Sequence, residues 1–199
     1  MKLLKLSGSF LLMALISVSA SAQKIKLLEG DLAPLAGETS IAVKFTYDNM
    51  SVGKFDKESD YIAKKTDDYN KKEPGRGDSW AKNWVGDRER DYEPKFVDLF
   101  EKETGWSVSR KKPAKYTLIF KTLFTEPGYN VYVTRKNASI NAEAWIVESA
   151  TEKVIAKISV EKVPGRTFGG NDYDTGIRIA ECYADAGKHL GKFIKKKSK

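Results

Sequence analysis

Apolar and polar residues alternate along several long stretches of the chain, and this period of two is typical of β-strands. Residues 116–124 are apolar on both faces, which predicts a central strand. Residues 138–148 and 153–163 alternate as well, and we expect the turn-prone residues 149–152 to join them as a hairpin. An earlier alternating stretch, 40–47, predicts one further strand. The chain must therefore build a sheet.

A long helix is predicted after the last strand, from residue 177 to residue 194. Its apolar and small residues recur at spacings of three and four, at Ile177, Ala180, Ala184, Gly187, Gly191 and Ile194. Because several of these residues are Ala or Gly, we expect this helix to approach the sheet closely. The order of elements predicts an α+β fold, a mainly antiparallel sheet of four to five strands with helices packed on one face.

The stretch 58–105 is highly charged and reads as a helical insertion between strands. A loop is predicted at 73–78, where a proline and two glycines occur. Pro94 suits the first turn of a later helix, and Gly105 stands where a left-handed C-cap is expected. With this insertion, we expect residues 23–199 to form a single domain that ends in a basic tail, 192–199.

The first residues resemble a secretory signal peptide. Lys2 and Lys5 precede an apolar run, and the segment 19–22 ends in small residues of the A-x-A type. We expect residues 1–22 to be a signal peptide that is cleaved after Ala22. The apolar run is too short to span a bilayer, so an exported protein, periplasmic or secreted and without a transmembrane segment, is predicted.

The formal net charge of +8 is concentrated at the two ends of the chain. Residues 23–187 contain equal numbers of acidic and basic side chains, so a nucleic-acid partner is not expected. The lysines near the C-terminus would attract anionic surfaces weakly, or they would simply favour the end of a helix through its dipole. These lysines are Lys188, Lys192, Lys195, Lys196, Lys197 and Lys199.

The sequence carries few of the residues that metal sites and common catalytic sites use. One His and one Cys, His189 and Cys182, leave no soft-ligand cluster for zinc, and we expect no metal or other cofactor. No G-x-S-x-G, H-E-x-x-H, Walker or dinucleotide motif is present. We therefore predict a non-enzymatic protein. The alternatives are a carboxylate-dependent hydrolase of a glycan or peptide, and a carrier of a small ligand.

Two segments outside the regular strands are candidate binding surfaces, 75–91 and 164–175. In the first, exposed Trp and Arg residues would form a binding hot spot, although packing in the core explains the same pattern. In the second, a glycine-rich loop leads into a helix, where acidic residues would cap the helix or, less simply, hold Ca²⁺. The candidate residues are Trp80, Trp84, Arg88, Arg166, Phe168, Asp172 and Asp174.

A family resemblance accompanies these patterns. It rests on the strand opening 114–118, the hairpin segment 149–155, and the glycine loop and small-residue helix of 169–190. In these segments the chain resembles exported bacterial envelope domains. They are similar to the small α/β domains of outer-membrane accessory lipoproteins, including penicillin-binding-protein activators and the N-terminal domain of TolB. The chain departs from them in lacking a lipobox Cys and in inserting 58–105.

The resemblance implies a role in the cell envelope, with an envelope protein or polymer as the partner. Together with the absence of catalytic motifs, it favours an exported binding or accessory module. The segments 75–91 and 164–175 are the surfaces on which we expect that partner to bind.

Overall fold

The computed structural model describes residues 23–131, 133–165 and 171–199. The predicted signal peptide therefore lies outside the described residues. So do two of the predicted binding residues, Arg166 and Phe168. Within the described part of the chain, no helix is both long enough and apolar enough to cross a bilayer.

The described residues form a main sheet of seven strands, whose order is β1, β9, β8, β5, β2, β4, with β3 also paired to β5. A separate hairpin consists of β6 and β7. The strands are β1 (Lys24–Gly30), β2 (Ser40–Thr46), β3 (Ser51–Val52), β4 (Ser107–Ser109), β5 (Tyr116–Glu126), β6 (Tyr129–Val131), β7 (Thr134–Lys136), β8 (Ser139–Glu148) and β9 (Val154–Pro164).

The α-helices of the described residues lie in two parts of the chain, three between β3 and β4 and one after β9. They are α1 (Glu58–Asn70), α2 (Arg76–Asp87), α3 (Glu93–Thr104) and α4 (Gly176–Lys197). A π-helical turn, Arg88–Tyr92, connects α2 to α3. Pro94 lies in the first turn of α3 and Gly105 caps its end with a φ of 74°, as the sequence predicts.

The α+β class is confirmed, but the prediction of a mainly antiparallel sheet with four to five strands is wrong. Strands β1, β9, β8 and β5 pair antiparallel, whereas β2 runs parallel to both β4 and β5, and β3 runs parallel to β5. Parallel neighbours need a crossover connection, and the helices between β3 and β4 supply one. Strands β3 and β4 were missed because two or three residues are too few to show alternation.

The hydrophobic core lies between one face of the sheet and helices α3 and α4. Phe96 of α3 packs against Phe120 of β5 with ring centroids 4.6 Å apart, and both side chains are fully buried. On α4, the hydroxyl of Tyr183 lies 2.7 Å from the hydroxyl of Thr122. On the opposite face, Lys121 and Lys157 lie over the ring of Trp145 at 4.0 and 4.8 Å.

The small residues of α4 serve its contact with α3 as well as its contact with the sheet. A Cβ atom added at Gly187 would overlap the carbonyl oxygen of Phe96. The two helices therefore approach closely at this position because Gly187 has no side chain. Helix α4 continues through Lys197. Most of the predicted basic tail therefore belongs to the C-terminal end of this helix.

Candidate functional site

A pocket of about 270 Å³ opens between α2, the π-helical turn and the loop that precedes α4. It lies beside the helices rather than between the helices and the sheet. Both segments predicted to form binding surfaces contribute to it, although they are far apart in the sequence. The lining residues are Trp80, Asn83, Trp84, Asp87, Arg90, Asn171, Tyr173, Asp174 and Thr175.

The floor of the pocket is formed by two tryptophans of α2. Trp80 and Trp84 are one helical turn apart, and their rings stack with centroids separated by 5.6 Å. Both residues are buried, with 4% and 5% of their surface exposed, which agrees with packing in the core and not with an exposed tryptophan hot spot. Packing in the core is their main role, and only a small part of each ring reaches the pocket.

Arg88 is partly buried and does not line the pocket. Its guanidinium forms an ion pair with Glu58 and lies 4.1 Å from the ring centroid of Tyr47. The indole Nε1 of Trp84 donates to the same carboxylate of Glu58 at 2.6 Å. Since Glu58 is at the start of α1, this network fixes α1 to α2. Arg88 is therefore not available to a partner in the way the sequence suggests.

The loop before α4 is held by its own side chains. Asn171 Oδ1 accepts hydrogen bonds from the backbone N–H groups of Tyr173 and Asp174, at 2.8 and 2.7 Å. Asp174 Oδ1 accepts from the N–H of Gly176 at 3.1 Å, which forms a turn directly before α4, whose N-cap residue is Thr175. The Tyr173 hydroxyl donates to the carbonyl of Arg76 at 3.0 Å, which ties the loop to the start of α2.

Asp172 does not line the pocket, and its contacts anchor the loop. Its Oδ1 accepts from Arg178 Nη2 at 3.0 Å and from the backbone N–H of Asn130 at 3.1 Å. Its carbonyl oxygen accepts from the Tyr69 hydroxyl at 3.1 Å. Within residues 23–131, 133–165 and 171–199, no group of three or more His, Cys, Asp or Glu side chains could hold a metal ion.

Asp87 is the buried carboxylate of the pocket. A Cβ atom added at Gly176 would overlap this carboxylate and would lie 3.3 Å from Asp174 Oδ1, so the two acids share one small space. Burial raises the pKa of Asp87, Arg90 opposes the shift through an ion pair, and the negative charges of Asp174 and Asp91 add to it. The start of α4, with its partial positive charge, also lies beside Asp87.

The pocket offers donors and acceptors at close spacing rather than a strongly charged or strongly apolar cavity. Asn83, Asn171 and Thr175 can both donate and accept, Arg90 donates, and the two aspartates accept. Such a mixture suits a small ligand with several hydroxyl groups. The pair of aspartates, one of them with a raised pKa, is also the arrangement that acid–base chemistry uses.

Sequence reasoning found three of the lining residues, Trp80, Trp84 and Asp174, and missed the rest. The sequence does indicate that four lining residues of α2 share one helical face. They occur at the i, i+3, i+4 and i+7 spacing, at Trp80, Asn83, Trp84 and Asp87. Arg90 follows on the π-helical turn, and turns of this kind are frequent at functional sites. Nothing in the sequence indicates that Asn171 and Thr175 lie across from that face.

Comparisons with known proteins give a weak structural likeness. No protein-family model and no curated protein sequence matches the chain. Two solved structures of PelC from Paraburkholderia phytofirmans, a dodecamer and a point variant of it, align over 83% of this chain and 97% of theirs. The sequence identities are 12% and 11%, respectively, and the TM-score is 0.38 for both. At these values the likeness carries no information about function.

Proposed function

We propose that this chain is an exported, non-enzymatic binding module of the bacterial cell envelope. Its pocket between α2 and the loop before α4 would bind a sugar unit of an envelope polymer. The observation that carries the proposal is the convergence of α2 and residues 171–175 on one pocket lined by polar side chains. The signal-peptide pattern of residues 1–22 supports the export part of the proposal.

The chemistry of the pocket favours a sugar over an apolar or strongly charged ligand. A volume of about 270 Å³ is close to the lower limit for small-molecule pockets, so it suits a single ring better than an extended ligand. Sugar hydroxyls can donate to Asp87 and Asp174 and accept from Arg90 and Asn83. The parts of the two indoles that line the pocket provide apolar contact for ring carbons.

A carboxylate-dependent hydrolase is the second candidate. The closeness of Asp87 to Asp174 and the raised pKa of Asp87 favour it, because a glycosidase needs one protonated and one ionised carboxyl group. Incubation of the purified chain with bacterial envelope glycans separates the two candidates. Release of reducing ends that is lost in Asp87→Asn would favour the hydrolase, and binding without turnover would favour the binding module.

The binding proposal is tested by calorimetry with soluble oligosaccharides released from bacterial peptidoglycan and lipopolysaccharide. Asn83→Ala removes an exposed pocket side chain and should weaken binding about tenfold. A tenfold change corresponds to a loss of roughly 1.4 kcal/mol of binding free energy. Lys82→Ala changes an exposed neighbour that does not line the pocket, so it should leave the affinity unchanged. Equal affinities of the two variants would contradict the assignment of the pocket.

Export has its own test. N-terminal sequencing of the protein from intact bacterial cells should find Gln23 as the first residue and the protein in the envelope fraction. Material that begins at Met1 in the cytosol would contradict export without affecting the pocket assignment.

A further inference from the structure

Strand β2 is paired over only part of its length on each of its two sides. It pairs with β5 from Ala42 to Thr46, whereas its register with β4 ends at Ala42, opposite Ser109. The chain leaves the sheet at that point because Ser109 Oγ accepts from the backbone N–H groups of Lys111 and Lys112, at 3.2 and 2.8 Å. Pro113 follows, and it cannot donate to a strand.

The edge of β2 at residues 44–46 is therefore open. Apart from the ladder with β5, no hydrogen bond among the described residues reaches this backbone. An unpaired strand edge is a ready template for another extended chain. Natural proteins use such edges to bind peptides by strand addition, in which backbone bonds supply the affinity.

A groove of about 690 Å³ runs along this edge, and basic side chains dominate it. Its charged residues are Lys44, Glu89, Glu93, Arg110, Lys111 and Lys112. Glu93 is buried and paired with Arg110, so these two charges cancel. Among the described residues the three lysines have no ion-pair partner, and each is exposed. The remaining charge of the groove is positive, opposed by Glu89 alone.

We propose that the open edge of β2 binds an extended acidic segment of a partner protein, which adds to the sheet as a strand beside residues 44–46. Carboxylates of that segment would lie near Lys44, Lys111 and Lys112. This site is separate from the pocket beside α2 and does not depend on the function proposed for it. The two sites together would let the module bring a polymer and a protein together.

A second copy of this chain is a poorer occupant of the groove. The two edge strands that a copy offers are β1 and β4. Strand β4 leads directly into the basic residues 110–112. On β1 the exposed lysines, Lys24 and Lys26, would face a basic groove. The one acid of β1, Glu29, is already paired with Lys157. Like charges placed together at an interface cost affinity, so charge favours an acidic partner.

Fluorescence anisotropy of the full chain with a short labelled peptide of alternating Glu and Val residues tests the proposal. Lys111→Glu/Lys112→Glu should weaken binding by at least about tenfold, and Glu89→Lys should tighten it. Lys24→Glu/Lys26→Glu makes the same change of charge on β1, at the far edge of the sheet. Five strand spacings, roughly 24 Å, separate β1 from the position of the added strand beside β2. Because that distance exceeds the screening length, this matched control should bind like the unaltered chain.

A second peptide separates strand addition from simple charge attraction. N-methylation of alternate peptide amides removes backbone donors and keeps every charge, so it should abolish binding. The parent peptide should also slow hydrogen exchange of the amides in residues 44–46. Equal binding of the methylated peptide, equal weakening by the control variant, or no binding of the parent peptide would each overturn the proposal.

Discussion

Arg178 donates from Nη2 to Asp172 Oδ1 at 3.0 Å, although the arginine side chain is 1% exposed and the aspartate is 39% exposed. Arg178 is among the largest fully buried side chains of the protein, and its Nε has no hydrogen-bond partner in the described structure. A buried cation that loses its partner is costly. This ion pair therefore helps to hold the loop that lines the pocket, together with the hydrogen bonds of Asn171 and Tyr173.

Replacing Asp172 by Ala should lower the free energy of unfolding by about 2 kcal/mol, because the Arg178 charge would remain buried without its carboxylate. The double variant Asp172→Ala/Arg178→Met should recover most of that loss. Urea denaturation measures both. As a control, Asp68→Ala removes an exposed ion pair with Lys64 and should change little. A double variant as unstable as Asp172→Ala would contradict this account.

Gly187 lies where α4 approaches the backbone of α3 closely. Gly187→Ala should destabilise the protein by about 1–3 kcal/mol, because the added Cβ meets the backbone of Phe96 rather than a movable side chain. Gly86→Ala is the matched control. It lies in α2 with open space around it and should stabilise the protein by about 0.5–1 kcal/mol. Thermal unfolding of the two variants should therefore shift in opposite directions.

The stability of the protein should depend on the protonation of Asp87. Burial raises the pKa of Asp87 in the folded protein above the ordinary value of 3.8, which applies to the unfolded chain. At pH values between the unfolded and the folded pKa, the folded state keeps a proton that the unfolded state has lost. The free energy of unfolding attributable to Asp87 therefore falls as pH rises through that interval. Asp87→Asn should remove this dependence of the free energy of unfolding on pH. Asp174→Asn should narrow the pH interval, because the negative charge of Asp174 raises the pKa of Asp87. Urea unfolding at a series of pH values would detect both changes, and an unchanged slope in Asp87→Asn would contradict the assignment.

Cys182 should be inert in the folded protein. Its side chain is fully buried on α4, and burial raises the pKa of the thiol, so almost no thiolate is available at neutral pH. A thiol reagent should label it only as fast as the protein opens. Rapid labelling under native conditions, with no effect of added denaturant on the rate, would show that α4 is packed differently.

The long strands and the last helix could be predicted from periodicity because each buries one regular face. Burial alternates along β5 from Tyr116 to Thr122 and changes phase at a bulge before Phe124. It also alternates along β8 from Ser139 to Ile146 and along β9 from Ile155 to Ile158. Parallel pairing of β2 could not be predicted, since direction depends on how the helices of 58–104 return the chain to the sheet. Strand β1 is mostly exposed and lacks a clear apolar face, so only an extended segment was expected there.

The candidate site was predictable only in part. The i, i+4 spacing of Trp80 and Trp84 gives a shared helical face, yet spacing alone does not distinguish an exposed face from a buried one. Asp172 was a candidate ligand because of its residue type, but its partner is Arg178. That contact arises from the fold of the loop onto α4, which no local pattern in the sequence reports.

The most direct test of the central claim is an amide and indole NMR titration of the purified chain with oligosaccharides released from peptidoglycan and lipopolysaccharide. If the pocket binds a sugar unit, the resonances of Asn83, Asn171, Thr175 and the Trp80 indole should shift together in a saturable way. The groove residues 44–46 should stay unchanged in the same titration. Saturable shifts that cluster elsewhere, or no shifts with any of these glycans, would contradict the account.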